Sequence, residues 1–548
     1  MMADFLVVSD HQIVSPKKKI WGSGAWISAG QRDPLEWFFF ARMLGWKSEV
    51  VHPSLIDNQT IQSDCKCIVI ACETPIFDPQ IWGYIESKLK KYHILLVLKP
   101  GVLDKSILTS IGVNISSRGE KVDWIKMKSD TCNFEHKLTG QINTFSLTSN
   151  KIAEPLWTSS NGNVLITYQF FNSKILVIGF QIWELIDQNI RFYDCLRKLL
   201  INKIKKPIAW VDWSGTMALR MDDPGSSETI HNRMYDTCNK LSGERWKELG
   251  LVLRNHKARL SIGYVNGWVD DPSLIGSKLW VDGREVLSRK LKVYPSAKIV
   301  LEHQGNTYNF TEEYRAIREL QKEGLIQIAA HGFTHIHPNL ETWDQSPDKH
   351  TNICWFREFG KFTCVSGANP IGKNQILGKA KDHLREFWDR DPMVFIFPGE
   401  EFNMQDQKEI LANDWKMVSS YYQAIKFENT LCWSQYICAP YLDQTDFLWA
   451  KESVPVIGYF HDFDIYKQEV NWLESMLAEW KARGIDHFID LDTLFIGSQF
   501  ELSIDHSCTE TKLTFNNPYL KHEHLGFRIN LENENGQITK MDVPSNLK

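Results

Sequence analysis

Short apolar runs alternate with amphipathic helical patterns along most of the chain, and this alternation narrows its possible folds. CKCIVIAC (65–72) is typical of a buried strand, FDPQIWGYIESKLKKY (77–92) of a helix, and HILLVLKPG (93–101) of a second strand. NVLITYQFF and KILVIGF (163–180) predict a hairpin, and QNIRFYDCLRKLLINKI (188–204) predicts an amphipathic helix. The alternation predicts an α/β protein whose sheet is mostly parallel and covered by helices.

Length and breaks in this pattern predict three domains. The 548 residues exceed what one hydrophobic core usually serves. A basic joint marked by proline, INKIKKPIAW (201–210), ends the first α/β region, after which the alternation resumes. The end of the chain alternates apolar residues with Asn, Pro and Gly turns, which predicts a small antiparallel β appendage. The predicted domains are residues 1–205, 206–498 and 499–548.

Composition argues against several classes of protein. With 43% hydrophobic and 24% charged residues the chain resembles an ordinary globular protein. Its net charge of −5 gives no positive electrostatic field that would attract nucleic acid or an anionic membrane. No apolar stretch approaches about 18 residues, and the basic cluster KKK (17–19) follows the first apolar run, the wrong order for a secretory signal. The 11 scattered cysteines favour reduced thiols, so a cytoplasmic location is expected.

Three segments of the predicted second domain place titratable side chains directly after an apolar run. Asp222 and Asp223 follow GTMALRM, His331 and His335 lie in IQIAAHGFTHIHP, and His461 follows VPVIGYF. Loops at the carboxyl ends of strands line active sites in folds built from strand–helix units, so all three segments are expected at one pocket. Two histidines at i and i+4 with one carboxylate suit a divalent metal, and the adjacent carboxylate stays available as a base.

Each motif also has an ordinary structural explanation. Asp-Asp-Pro is common in turns and helix caps. The histidines of HGFTHIHP can cap carbonyl groups in a loop, and HDFD (461–464) can be a polar strand end. Their joint occurrence in this order, each after an apolar strand, favours one functional site.

At these residues the chain resembles the polysaccharide deacetylase family, also called the NodB-homology family. The resemblance covers roughly residues 207–498 and implies an irregular (β/α) barrel with a divalent metal, commonly zinc. The positions that match the family's metal ligands are Asp223, His331 and His335. Asp222 matches the general base of the family, and His461 matches its general acid.

Two positions depart from the family's motifs. Pro224 stands where the family has glycine. VFIFPGEEF (394–402) stands where an Arg-x-Pro segment is expected; Pro398 is retained, but Ile396 occupies the place of the arginine that orients the base. Arg220 is the candidate to replace that arginine.

Several other side chains near the motifs have two possible roles. Asp462 and Asp464 either orient the imidazole of His461 or face solvent, and His337 fits a structural place better than a ligand. Glu400 and Glu401 are expected to face solvent. The tryptophans that fill the core or offer a platform for a sugar ring are Trp268, Trp280, Trp343, Trp355 and Trp433.

The first domain resembles the class I glutamine-amidotransferase-like, flavodoxin-like fold through ILLVLKPGVLDKSILTSIGV (94–113). An active member of that fold carries a nucleophilic cysteine in the turn, where this chain has Lys99, Pro100 and Gly101. No thioester can form without a thiol, and Cys72 is expected to be a buried structural cysteine. The domain is therefore expected to be non-catalytic.

Together these features predict a metal-dependent hydrolase, most simply a zinc N-deacetylase that acts on an amino sugar or a glycoconjugate intermediate inside the cell. Two alternatives stay open. The absent arginine and cysteine favour a catalytically inactive carbohydrate-binding or scaffolding protein. A hydrolase that acts on a C–N bond outside a sugar fits the same residues equally well.

Overall fold

A computed structural model of the chain contains two compact units, here called the first and second units. The first unit comprises residues 1–14, 27–212 and 499–548, and the second comprises 15–26 and 213–498. The residues that the structure describes are 3–10, 16–19, 25–27, 37–38, 40–41, 44–57, 59–72, 76, 78–99, 101–116, 119–129, 132–189, 191–227, 230, 240–270, 276–288, 290, 292–336, 358–359, 373–391, 393–400, 413–419, 423–428, 431–436, 442, 453, 455–506, 510–519, 526–533 and 535–543.

A nine-stranded mixed sheet forms the first unit. Its strands, in sheet order, are Ser48–Val51, Phe5–Val8, Cys67–Ile70, Leu95–Leu98, Ser173–Ile178, Gly162–Phe170, Glu154–Ser159, Glu120–Ser129 and Cys132–Thr144. The first five pair in parallel. The apolar runs of the last four of these are buried, as strands covered on both faces require, whereas Ser48–Val51 at the end of the sheet buries only Val51. The other four pair antiparallel, and the predicted hairpin is confirmed by the pairing of Phe170 with Ser173. The predicted parallel sheet is thus only part of a mixed one.

Helices and short strands complete this part of the first unit. The helices are Pro79–Lys91, Lys105–Ile111, Ile182–Gln188 and Arg191–Ile204, and a small sheet pairs Val113–Ile115 with Leu147–Ser149. The helix predicted over 77–92 begins after Asp78, whose carboxylate accepts the Gln80 N–H. Pro79 occupies the first turn, where its missing N–H leaves no bond unmade.

The predicted antiparallel strands at the end of the chain are confirmed. Glu501–His506 pairs with Thr511–Asn516, and Arg528–Glu532 pairs with Ile538–Asp542. Arg528–Glu532 also pairs antiparallel with Ile208–Val211, and by its contacts residues 499–548 belong to the first unit. The division into three domains stays a prediction.

Buried charges join these strands to the helix Arg191–Ile204. Arg197 donates to Glu532 at 3.0 Å and to Asp194 at 2.6 Å, and its guanidinium lies 4.5 Å from the centre of the Trp210 ring. Burial raises the pKa of Glu532, and only Arg197 and other cations nearby oppose that shift.

The prediction of reduced thiols is wrong at Cys195. Cys195 is disulfide-bonded, whereas Cys65, Cys67 and Cys72 are free and buried. The cytoplasmic location, which rested on reduced thiols, stays a prediction. In the described part of the chain, every helix is too short or too polar to cross a membrane.

The second unit is built on a different nine-stranded sheet, whose strands are labelled β1 to β9 in chain order. They are β1 Thr216–Asp222, β2 Leu260–Tyr264, β3 Ile326–His331, β4 Val394–Ile396, β5 Met417–Ser419, β6 Gln423–Glu428, β7 Leu431–Tyr436, β8 Val456–His461 and β9 His487–Ile489. The sheet order is β7-β6-β5-β4-β3-β2-β1-β8, β9 also pairs with β1, and the sheet curls into a half barrel. Strands β8, β1, β2, β3, β4 and β5 are mutually parallel, so the α/β prediction is confirmed here.

Helices and short hairpins flank this sheet. The helices are Gly243–His256, Phe310–Lys322, Lys373–Trp388, Asp462–Gln468, Val470–Ala482 and Leu491–Ser498. The small sheets pair Pro16–Lys19 with Ala25–Ile27 and Gly267–Asp270 with Lys292–Pro295, and join Arg284–Glu285, Lys278–Val281, Ile299–His303 and Asn306–Asn309. Trp268 and Phe310 are fully buried in the core beneath these hairpins.

Replacing Arg197 with alanine should destabilise the first unit by about 3–5 kcal/mol, because the buried Glu532 would lose the cation that it contacts, and Asp194 would keep only Lys198. Urea unfolding followed by circular dichroism measures the loss. The matched control is Lys126→Ala, which breaks the exposed Lys126–Glu135 pair and should cost about 1 kcal/mol or less. Equal effects of the two variants would contradict a special role for the buried pair.

Candidate metal centre

The titratable side chains of the three motifs lie at one edge of the second unit's sheet. Strand β1 lies between β2 and β8 in parallel register, with Asp222 opposite His461 on one side and Gly263 on the other. His331 ends β3 opposite Ile396 of β4. Parallel strands bring their carboxyl ends to the same edge, so residues more than a hundred positions apart become neighbours.

Asp223, His331 and His335 form a compact group of buried donors. Their nearest ligand atoms all lie within 4.8 Å of one another. Asp223 Oδ1 is 3.4 Å from Nε2 of His331 and 3.6 Å from Nε2 of His335, and the two imidazole rings meet edge to face at 4.7 Å. Among the described residues, no other group of three such side chains has this geometry.

The donor set fits a divalent cation. Asp223 Oδ1 is buried and accepts no hydrogen bond from the described residues, although such oxygens are normally satisfied. His331 Nδ1 lies 3.3 Å from the Ile396 carbonyl, an arrangement that leaves Nε2 facing the other donors. Two imidazole nitrogens and one carboxylate oxygen suit zinc or another transition metal with coordination positions left for water and substrate.

Two of the three donors sit on left-handed backbone. Asp223 has φ of 80° and His335 has φ of 58°, values that only a few per cent of residues other than glycine adopt. Gly225, with φ of 82°, completes the turn after Asp223; a Cβ there would lie 2.4 Å from the Val265 carbonyl oxygen. The turn therefore needs glycine one position later than the family motif has it.

Arg220 and Asp222 form a buried ion pair inside the sheet. The Nε of Arg220 donates to Asp222 Oδ1 at 2.9 Å, and Nη2 donates to Oδ2. Nη1 lies 3.4 Å from the Ser419 hydroxyl oxygen, and the guanidinium packs over the Tyr459 ring. Burial opposes ionisation of Asp222, but Arg220 and the nearby imidazoles outweigh it and hold its pKa below the usual value.

His461 lies beside these carboxylates and is held by Asp464. Asp464 Oδ2 accepts the His461 backbone N–H at 2.8 Å and lies 3.5 Å from the ring Nδ1. The Phe463 ring stacks on the imidazole at 4.8 Å. Although burial alone would lower it, the pKa of His461 is raised to about 9 by Asp464, Asp223 and Asp222.

Asp462 does not contact the His461 side chain through any described bond. Its carboxylate instead accepts a hydrogen bond from Lys240 at 2.8 Å, deep in the unit. The adjacent aspartates thus have separate places: Asp464 beside the imidazole and Asp462 in a buried ion pair.

Glu358 is a site residue that sequence reasoning missed. It is fully buried, and its carboxylate accepts the N–H groups of Phe333 and Thr334 and the Thr334 hydroxyl, each at 2.7 Å. These bonds hold the loop between His331 and His335. Burial raises the pKa of Glu358, and the bonds of the loop oppose that shift. No spacing pattern links this glutamate to the His-x-x-x-His motif.

The remaining predicted residues have mixed outcomes. Pro398 is buried and packs against Gly332, where a Cβ would lie 2.3 Å from the proline ring. Trp268 is fully buried in a core cluster and Trp280 is half-buried, so only the second has partly accessible surface. The residues that lie outside the described part of the chain are His337, Trp343, Trp355 and Glu401, and the side chains of Glu400 and Trp433 are also outside it.

The first unit has no described thiol at the turn after Leu95–Leu98. Lys99 follows that strand, as the sequence predicts. Cys72 is buried and donates to the Val8 carbonyl at 3.5 Å, and its burial, together with Asp10, raises its pKa to about 12. A thiol with such a pKa is a poor nucleophile at neutral pH.

Comparisons with known proteins give weak similarity. No protein-family model and no curated protein sequence matches the chain. The solved structures to which it is similar include Agd3, a carbohydrate deacetylase (9% identity, TM-score 0.39, 96% of this chain and 93% of that one). They also include a candidate polysaccharide deacetylase from Mycobacterium smegmatis (12%, 0.29, 53% and 92%) and BA3943, a CE4 family pseudoenzyme from Bacillus anthracis (9%, 0.26, 51% and 65%). At these scores the likeness carries no argument, and the chemistry of the site has to be inferred from its own geometry.

Replacing His335 with alanine should abolish metal binding, because the site would lose one of its three donors. Wild-type protein purified without chelator or a histidine tag should hold about one equivalent of metal per chain by plasma mass spectrometry. The control is His487→Ala, which removes an exposed histidine of the same unit and should keep the wild-type metal content. Metal-free wild-type protein, even after soaking and desalting, would count against the site.

Proposed function

We propose that the protein is a metal-dependent hydrolase that removes an N-acyl group, most simply acetyl, from an amino sugar or a glycoconjugate. The observation that carries the proposal is the meeting, at one sheet edge, of a three-donor group with a separate carboxylate, Asp222, and a separate imidazole, His461. A site built only for binding needs no buried acid and base around a metal. The same arrangement counts against a catalytically inactive binding protein.

The proposed reaction divides the work among these side chains. Asp223, His331 and His335 would hold the metal, which when bound is a Lewis acid that activates water near neutral pH. Asp222 accepts a proton from the attacking water, and its low pKa keeps it ionised for this role. His461, protonated by virtue of its raised pKa, donates a proton to the departing amine as the carbonyl carbon–nitrogen bond breaks. The products are a carboxylic acid and a free amine.

Arg220 supports the assignment of Asp222 as the base. Its two-pronged contact with both carboxylate oxygens orients Asp222 and stabilises its ionised form. In the family motif an arginine two positions before the proline has this role, and here that position is Ile396. We propose that Arg220, which lies on the same strand as Asp222, orients the base in place of that arginine.

The finer parts of the proposal rest on the resemblance of residues 207–498 to the polysaccharide deacetylases. These parts are the irregular (β/α) barrel, the choice of zinc and the preference for an amino sugar. Backbone N–H groups after Pro398 are the proposed donors to the oxyanion that forms during attack. The amidotransferase-like nature of the first unit stays a prediction.

The function is tested by acetate and formate release from a panel of N-acyl amino sugars, oligosaccharides and simple N-acyl amides, with zinc or cobalt added. We expect release from at least one amino-sugar substrate. Release from non-sugar amides alone would change the proposed substrate to a non-sugar amide and leave the proposed metal-dependent hydrolysis in place. No release from any member, while a known deacetylase run alongside succeeds, would sink the proposal.

Asp222→Asn and His461→Gln should each lower kcat by about 10²- to 10⁴-fold while the metal stays bound, because each removes a proton-transfer group and no metal donor. Steady-state kinetics and metal content measured on the same samples check this. The control is Asp282→Asn, at an exposed turn, which should leave kcat unchanged. Loss of metal from either site variant would reassign that residue as a ligand.

A further inference from the structure

A buried cation lies behind the candidate site. Lys240 Nζ is 2.8 Å from Asp462 Oδ2 and 3.5 Å from Glu313 Oε1, and the side chains of all three residues are at most 3% exposed. Burial opposes the charge on Lys240, and the two carboxylates outweigh it and raise its pKa. The three side chains form what is here called the Lys240 cluster.

One arm of the Lys240 cluster, the Glu313 side chain, contacts the turn that carries Asp223. Glu313 uses its other oxygen, Oε2, to accept the Gly225 N–H at 2.8 Å. Gly225 is two residues after Asp223, in the turn that places this carboxylate on left-handed backbone. The position of Glu313 thus bears directly on the position of Asp223.

The other arm, the Asp462 side chain, belongs to the segment that carries His461. Asp462 follows His461 in sequence and begins the helix Asp462–Gln468, whose first turn holds the His461 N–H through Asp464. A shift of Asp462 toward or away from Lys240 therefore moves the start of that helix and the imidazole beside it.

We infer that Lys240 is a positioning residue that fixes Asp223 and His461 relative to each other, an inference that rests on the proposed function for its catalytic meaning. Replacing buried ion clusters by apolar side chains of similar volume is often neutral or stabilising, so stability alone is a weak reason to bury three ionisable side chains. A cluster that joins two loops through directional bonds instead fixes geometry.

Hydrogen exchange in the metal-free protein tests the inference without turnover. In Lys240→Met, peptides over 223–227 and 461–466 should both exchange about 3-fold faster or more. The reason is that the carboxylates that accept the Gly225 and His461 N–H groups would no longer be held in place through Lys240. Cobalt affinity, measured by chelator competition, should fall about 10-fold, as it does when groups that orient ligands are removed. Wherever turnover is measurable, kcat should fall more than KM rises.

The matched control is Lys381→Met. Lys381 is also nearly buried, but it donates to the carbonyls of Asn413 at 3.0 Å and Asp414 at 3.4 Å. These carbonyls precede β5, at the edge of the sheet opposite the site, because β5 is parallel to the site strands. This variant should leave both peptides and the cobalt affinity at wild-type values.

Two further variants separate the arms and decide the matter if Lys240→Met does not fold. Glu313→Gln should accelerate exchange at 223–227 only, and Asp462→Asn at 461–466 only. Acceleration of both peptides alike by each variant, or rates in Lys240→Met equal to those in Lys381→Met, would overturn the inference. Absence of deacylase activity in the wild type would overturn the proposed function and leave these exchange results as they stand.

Discussion

The parallel pairing of β1 with both β2 and β8 is the constraint on which the second unit's site depends. It places Asp222 in line with His461, although 239 positions separate them in the chain. The pairing of β3 with β2 and β4 adds His331 to the same edge. Side chains alternate between the two faces of a strand, so a shift of β1 by one residue would turn Asp222 and Arg220 to the opposite face of the sheet. The register of β1 therefore determines whether these two side chains reach the site.

Much of this site was predictable because its titratable side chains come directly after three apolar runs of the sequence. Arg220 also left a signal: an arginine within the buried run GTMALRM needs an anionic partner, and Asp222 is two residues away on the same face. Lys240, Glu313 and Glu358 left none. Their contacts join helices and loops that are distant in sequence, and isolated charges in amphipathic segments look like solvent-facing ones.

The first unit shows where the pattern of alternating elements misleads. Four of the nine strands in its main sheet form its antiparallel part, and the two longest, Glu120–Ser129 and Cys132–Thr144, carry alternating polar and apolar residues. This period of two is typical of strands with one solvated face and differs from the continuous apolar runs of the parallel half. The disulfide at Cys195 was not predicted for a different reason: the number and spacing of cysteines in a sequence do not determine which thiols lie close together in the fold.

The left-handed backbone at Asp223 and His335 links the function of the site to its evolutionary fragility. Side chains other than glycine lose on the order of 1–3 kcal/mol in such conformations. Glycine at either position would relieve that strain and remove a metal donor in the same step. Fold stability therefore favours single substitutions that remove a donor of the candidate metal centre. A lineage released from selection for the site would drift toward a more stable protein without it.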